Sequence, residues 1–385
     1  MILRLGEFPE AVDSLPYSAF ADLRPRCCAE VSTGARNPHA KLAADFRLDA
    51  VHTVTLFIPA LFWPHAGVEH DLPLAPALQA LLARGDSSEA RCDDEQAWLC
   101  GQFGVARQAD WPVAPIALFG AGMPPGKEYW LSADPVHLQV NRNQLILLTP
   151  ESLSITDVEA VSLCAALNRH FAADHFTFLA PQPHRWYMKT TEPARIHTSS
   201  LSRAAGRDVD RMLPEGEDRL AWHRIFNEVQ MVLHAHPVND ERERRGAQPI
   251  NSLWFSGGGT LPRASTAFQS VIGSSALAQG LAKLTDIPFT PAAQGIGAIG
   301  ANEVLIELRD AATASMRLDP AAWKQAIEDL ERQWFAPIRD LLESGRLRKL
   351  VIATVDNGYS YRWSVSRMNL WRLWRSAASL SSPAR

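Results

Sequence analysis

From Pro249 onward the chain repeats one alternation: a short apolar run, a glycine-rich turn, a helix-length stretch, then another apolar run. Ile250 to Phe255 is predicted as a strand, with Gly257-Gly258-Gly259 as the turn that follows it. Ser274 to Leu284 has helical spacing, and Val304 to Leu308 is a second strand. Pro320 to Glu343 is a long helix with Asp319 as N-cap and Pro337 as a kink, and Leu350 to Thr354 is a final buried strand. Parallel neighbours need a crossover of about a dozen residues, which a helix supplies. Alternating strands and helices therefore specify an α/β fold built on a mostly parallel sheet.

The middle of the chain has a different rhythm. Val136 to Val140 and Gln144 to Leu148 read as strands flanking the turn Asn141-Arg142-Asn143. Asp157 to Phe171 is a helix with Thr156 as N-cap, and Phe176 to Leu179 and Trp186 to Met188 are two further strands. Arg219 to His234 is a second helix starting near Asp218. This α+β unit is expected as an insertion at 128–247, between core segments at 1–127 and 248–385. Before it, Val54 to Ile58 is a strand and Leu74 to Arg84 a helix closed by Gly85. Asp86 to Glu95 is expected as a polar loop, Ile116 to Gly120 as a short buried strand or turn, and Gly122 to Lys127 as a linker. Prolines 9, 16, 25 and 38 exclude a long helix near the start.

The net charge is −4 over 385 residues, which leaves no general footprint for nucleic acid. The five cysteines, Cys27, Cys28, Cys92, Cys100 and Cys164, show no C-x-x-C spacing and are expected as structural thiols of a reducing cytoplasm. The first residues, Met1 to Glu7, lack the basic and apolar regions of a leader, and no apolar run reaches about 18 residues, so no membrane partner is expected.

The most distinctive run is His234 to Gly259. Its histidines, Asn239 and the arginines Arg242, Arg244 and Arg245 could gather at a helix end, where guanidinium forks suit phosphate or carboxylate. The backbone N–H groups of Gly257, Gly258 and Gly259 could cradle an anion. The alternative is a helix C-terminus with favourable basic charge and a tight turn. His234 and His236 do not share a helix face and have no third ligand nearby, so no metal site is expected there.

The run also resembles the archaeal-type, bisphosphoglycerate-independent phosphoglycerate mutases of the alkaline phosphatase superfamily. The resembling elements are His236-Pro237-Val238-Asn239, Arg242 to Gly246, and Ile250-Asn251 leading to Gly257-Gly258-Gly259. Ser274 to Gly280 is similar to a helix of that family, and Gly295, Gly297 and Gly300 to its glycine-rich segment. His184-Arg185 and Asp208-Val209-Asp210 stand where its inserted domain has His-Arg and Asp-Thr-Asp; the two aspartates suit turn positions. The resemblance implies an alkaline-phosphatase-like core and a two-metal phosphotransfer centre with a serine nucleophile.

The motifs of that centre are broken. Trp111 stands at the serine and Pro115 at a histidine. Ala312 and Met316 replace an Asp and a His, Val355-Asp356-Asn357-Gly358 keeps an Asp and loses a His, and Pro59-Ala60 replaces an Asp-Gly. The expectation is no metal, no cofactor and no catalytic residue. The runs Ala133 to Leu138, Pro183 to Tyr187 and Ile250 to Trp254 are also similar to proteobacterial RpfE-type regulatory proteins. The resemblances imply a catalytically inactive regulatory or metabolite-sensing protein, with an active divergent mutase or phosphohydrolase and a pure interaction module as alternatives. The candidate ligand residues are Arg185, His236, Asn239, Arg242, Asn251 and Gly257 to Gly259, for a phosphorylated small metabolite. The same polar residues could instead pin the two domains together through buried hydrogen bonds. A protein partner is also entertained. Trp363, Trp371 and Trp374 alternate with arginines near the C-terminus, as a docking tail or, preferably, a packed hairpin; the residues from Ser379 are expected to be disordered.

Overall fold

The apolar runs pair into two sheets. The computed structural model describes residues 51–65, 72–141, 144–210, 212–291, 295 and 303–383. The opening residues, the four early prolines, Cys27, Cys28, Arg142, Asn143, Gly297, Gly300 and Arg385 lie outside the described residues. In chain order the elements are β1 (Val51–Phe57), α1 (Pro76–Arg84), β2 (Asp86–Arg91), α2 (Glu95–Gln102), α3 (Val113–Gly120), β3 (Tyr129–Asn141), β4 (Gln144–Leu148) and α4 (Asp157–His170). Next come β5 (Thr177–Gln182), β6 (Arg185–Thr190), β7 (Ile196–His197), α5 (Leu201–Ala204), β8 (Glu215–Gly216), α6 (Arg219–His234), α7 (Pro237–Arg244) and β9 (Ser252–Gly259). The last are β10 (Ser270–Gly273), α8 (Ala276–Leu284), β11 (Phe289–Pro291), β12 (Glu303–Glu307), α9 (Asp310–Met316), α10 (Pro320–Leu330), α11 (Ala336–Glu343), β13 (Leu347–Asp356) and β14 (Tyr359–Ser366).

The larger sheet has the order β11-β10-β12-β1-β13-β14-β2. The pairs from β11 to β13 are parallel, and β14 and β2 add antiparallel strands at one edge. This is the mixed α/β fold with a mostly parallel central sheet that the alternation specifies. Both faces are covered, which is why its strands are apolar without a period of two. Val54, Leu56, Ile306 and Ile352 pack with α1, α10 and α11. Phe57, Leu305 and Ala353 face α2 and α8, and Phe57 stacks on Trp98 with 4.0 Å between ring centroids. Each such fully buried large side chain contributes about 1.5–3 kcal/mol.

The second sheet has the order β4-β3-β6-β5, with β9 paired antiparallel to β3. Its core, including Leu131, Trp186 and Trp254, is closed by α4 and α6. Thr156 and Glu159 form the reciprocal capping box at the start of α4.

Several elements differ from the sequence reading. The strand expected at Ile250 runs to Gly259 and joins this second sheet, so the three glycines continue a strand instead of forming a turn. Ile116 to Gly120 lies in helix α3; a helix buried nearly all round carries no amphipathic period to betray it. Asp86 to Arg91 is a strand with every side chain exposed, a polar sheet edge that discourages further pairing. The strand at Leu350 is followed by β14, which buries Trp363 as a hairpin. Leu380 is 1% exposed, so the chain after Ser379 returns to the core.

The long helix at Pro320 is interrupted by a π-helical turn, Glu331–Phe335, just before Pro337. The turn presents Glu331 to the start of α1, where its oxygens accept the N–H groups of Ala77 (2.7 Å) and Leu78 (3.0 Å). The N-cap of α1, Ala75, offers no side-chain acceptor, so Glu331 supplies the cap from another element. Cys92, Cys100 and Cys164 are free, and burial pushes the Cys100 and Cys164 thiols up to about 12. Among the described residues no helix is long and apolar enough to cross a membrane.

Candidate functional site

Open parallel sheets place ligands beyond the carboxyl ends of their strands. Here the ends of β10 and β12 meet β3 and β6 of the second sheet around a cleft of about 520 Å³. Arg309 follows β12 directly. Its guanidinium reaches Glu95 (2.8 Å) and Glu307 (3.3 Å). Burial works against the charge on Arg309, but these two carboxylates outweigh it and keep the group protonated. The second oxygen of Glu307 accepts the N–H of Ser275 (3.1 Å), whose hydroxyl caps α8 through Ala278 (3.0 Å).

Across the cleft Arg185 opens β6, beside His184 in the β5–β6 turn. Its charge is balanced through space by Asp134 and Glu151, without a direct ion pair among the described residues. Asp134 is 5% exposed, and one of its oxygens has no hydrogen-bond partner. Burial pushes the Asp134 carboxyl up to about 6, against the pull of Arg185. Two guanidinium groups thus face one cleft, Arg309 held by Glu95 and Glu307 and Arg185 beside Asp134 and Glu151, so Arg185 is the cation with a fork left for an acidic ligand.

A second cavity, about 280 Å³, lies beyond β1 and β13 and is lined by Ala60, Ala312, Met316 and Asp356 among others. These are positions at which the resemblance expects metal-binding motifs. His65 in the same wall bonds the hydroxyl of Ser315 (3.2 Å). Among the described residues no three His, Cys, Asp or Glu side chains form a group that could hold a metal. Alanine methyl groups offer no donor, and a thioether is a poor ligand for a hard divalent cation. The same wall also holds His65, Asp93, Asp94, Glu95 and Asp356, but among the described residues they do not gather into a ligand group, so a two-metal centre does not fit as the side chains stand.

Trp111, where the resemblance expects a serine, lies just before α3 and donates its indole N–H to Asp93 (3.3 Å). Pro115 is buried inside α3. The neighbouring Asp110 accepts the N–H groups of Trp111 (2.8 Å) and Thr198 (3.1 Å) and the Thr198 hydroxyl.

The sequence-derived candidates separate into two places. Arg185 lines the cleft of about 520 Å³. His236, Asn239, Arg242 and Asn251 line none of the described cavities. His236 caps α7 by accepting the Val238 N–H (3.2 Å), which requires the neutral ring that burial favours. Asn239 donates to Leu233 (2.7 Å) and Ile250 (2.8 Å) carbonyls and accepts the Ile250 N–H (2.8 Å). Arg242 is fully buried; it bonds the Gln248 carbonyl (2.8 Å), Glu159 (3.0 Å) and the Leu153 carbonyl. Asn251 exchanges two 2.8 Å bonds with the backbone of Leu138. His236 caps α7, while Asn239, Arg242 and Asn251 use their polar atoms to tie α6, α7 and the chain entering β9 to one another, to α4 and to β3. Asp208 accepts the N–H of Leu145 (3.3 Å) and of Asp210 (3.4 Å), a turn role.

Gly257, Gly258 and Gly259 are packed, not open. A Cβ would lie 2.8 Å from Val113, 2.5 Å from the Tyr129 hydroxyl and 2.5 Å from Pro112, respectively. The Gly257 N–H already donates to the Thr198 hydroxyl (3.1 Å). Gly257 does line a smaller cavity of about 210 Å³, with Asp94, Asp110 and Trp111.

Arg309, Glu95, Asp134 and Glu151 escaped the sequence reading. Glu307 was the available signal: an acid inside the apolar run Val304 to Leu308 demands a buried partner.

No protein-family model matches the chain. It is 37% identical over 68 residues to the 2,3-bisphosphoglycerate-independent phosphoglycerate mutase of Methanosarcina mazei, covering 18% of this chain and 17% of that protein. It is 26% identical over 132 residues to a probable 2,3-bisphosphoglycerate-independent phosphoglycerate mutase of Geobacter sulfurreducens, 33% of this chain and 32% of that one. The matched stretches thus span at most about a third of these relatives. A cofactor-independent phosphoglycerate mutase from Thermoplasma acidophilum aligns in structure with a TM-score of 0.42 and 14% identity, over 86% of this chain and 94% of that one. The chain is therefore similar in sequence, over part of its length, to phosphoglycerate mutases.

Proposed function

We propose that this chain is a phosphoglycerate-mutase-like protein that binds a phosphorylated small acid without turning it over. Its role would be regulatory or metabolite-sensing, as in the RpfE-type proteins it resembles, in the cytoplasm. In this reading residues 1–127 and 248–385 supply an alkaline-phosphatase-like core and 128–247 the insertion, whose sheet takes in β9 from the second core segment.

One observation carries the reading. Where the resemblance expects two-metal chemistry, the cavity wall presents Ala60, Ala312 and Met316, while Arg185 and Arg309 face the adjoining cleft. Guanidinium groups bind phosphate in a fixed geometry at any physiological pH. They do not supply the metal-activated nucleophile of the family.

The test is a turnover assay beside a melting assay. The full chain is incubated with 3-phosphoglycerate, alone and with Mn²⁺, Co²⁺ or Zn²⁺, and isomer and free phosphate are measured. The reading expects no turnover under any condition, and a rise in melting temperature with 3-phosphoglycerate alone, since a ligand of the folded state stabilises it by mass action. Metal-dependent turnover would instead establish a divergent mutase or phosphohydrolase.

A further inference from the structure

The C-terminal segment carries an interaction surface independent of the cleft. The 42 residues from Ser344 to Arg385 hold eight Arg or Lys and a single Asp, in a chain whose net charge is −4. Within this basic segment Met368, Trp371, Leu373 and Trp374 are 83%, 71%, 68% and 79% exposed. Such a contiguous run of large apolar side chains on a soluble face marks a contact site.

The display is built. Arg372 donates to the Arg84 carbonyl (3.1 Å) and to Asp86 (2.5 Å), and Arg375 to the carbonyls of Ala83 (3.1 Å) and Gly85 (3.2 Å). These bonds cap the end of α1 and fix the loop by its arginine side. Asn369 anchors one end through Ser366 (2.9 Å), and the Ala378 N–H anchors the other through the Gln79 carbonyl (3.2 Å). The indole rings are thereby held outward, Trp371 and Trp374 being largely exposed.

We propose that this segment docks the protein peripherally on an anionic lipid surface. Indoles prefer the membrane–water interface, where the ring leaves water and its N–H stays hydrated. The exposed Arg367, next to Met368 in the chain, supplies attraction to anionic headgroups, and the exposed Arg362 lies on β14 leading into the loop. Such docking needs no spanning helix, so the absence of a long apolar run does not bear on it. Exposed indoles beside basic side chains match the chemistry of an anionic lipid interface.

Cosedimentation of the full chain with phosphatidylglycerol–phosphatidylcholine vesicles tests this. Binding is expected to anionic vesicles, to weaken with added salt, and to be at least about tenfold weaker on pure phosphatidylcholine. The double variant Trp371→Ser/Trp374→Ser should lose about tenfold or more in vesicle affinity with an unchanged melting temperature, because both side chains are exposed. No partition, equal partition of parent and double variant, or equal binding to neutral vesicles would each overturn the proposal. A dimer that dissociates in the double variant, without vesicle binding, would assign the face to a second copy of the chain instead.

Discussion

Replacing Arg242 by Met separates a structural from a ligand-binding role for the most buried cation of the second sheet. The guanidinium is fully buried and bonds Glu159 at 3.0 Å, the Gln248 carbonyl at 2.8 Å and the Leu153 carbonyl. Removing one partner of a buried ion pair costs about 3–5 kcal/mol. The orphaned carbonyls add to this, about 1 kcal/mol or more each, though groups sharing one site do not sum. Glu159 keeps a second partner, Arg245 at 2.5 Å, which is 44% exposed and partly compensates. The expected loss is therefore near the lower end, about 3 kcal/mol, by equilibrium urea unfolding at neutral pH. The pH dependence adds a second readout. Burial works to raise the Glu159 carboxyl, but the Thr156 backbone and Arg242 outweigh it and hold its pKa below the ordinary value. The pair's contribution is thus complete above the ordinary carboxylate range and is lost as pH falls through the folded value. The gap between parent and variant should narrow in acid. A loss under about 1 kcal/mol, or unchanged stability with abolished phosphoglycerate binding, would refute the structural assignment.

Other residues make sharp predictions of the same kind. Asp134→Asn should stabilise the protein at neutral pH by up to about 3 kcal/mol, since a carboxyl pushed from 3.8 to about 6 binds its proton more tightly when folded. That gain should vanish as pH falls below the ordinary carboxylate value; a pH-independent effect in unfolding curves would contradict the cause given. Glu331→Ala removes both acceptors at the start of α1 and should cost about 1–2 kcal/mol, with Glu331→Gln costing less. Gly280→Ala places a Cβ 2.0 Å from the Ile116 carbonyl oxygen and forces α3 and α8 apart, at about 1–3 kcal/mol or more in denaturant unfolding.

Local signals in the sequence marked most elements. Thr156 announced the start of α4, and the helix-length stretch after Asp218 announced α6. The failures came where local pattern is silent. Val113 to Gly120 is apolar on nearly every side, so Ile116 to Gly120 reads as a buried strand or turn when it is a helix. Asp86 to Arg91 is polar on both faces and becomes a strand only because β14 offers it backbone partners. The site was legible in part. Arg185 was found through the resemblance of His184-Arg185 to a family motif, whereas Arg309, Glu95 and Asp134 come together only when β12, α2 and β3 are assembled. The polar run from His236 to Asn251 is distinctive in sequence, and its groups are spent on the fold. A helix-capping histidine, a buried arginine and a carbonyl-binding asparagine use the same chemistry that would recognise a ligand, so spacing alone does not separate the two.

The most direct measurement of the central claim is calorimetric titration of the metal-stripped full chain with 3-phosphoglycerate, repeated with Mn²⁺ and with Arg185→Met. The account predicts binding without metal, an affinity that Mn²⁺ leaves unchanged, and a loss of about tenfold or more in the variant. Binding that appears only with Mn²⁺, or that survives Arg185→Met undiminished, would contradict it.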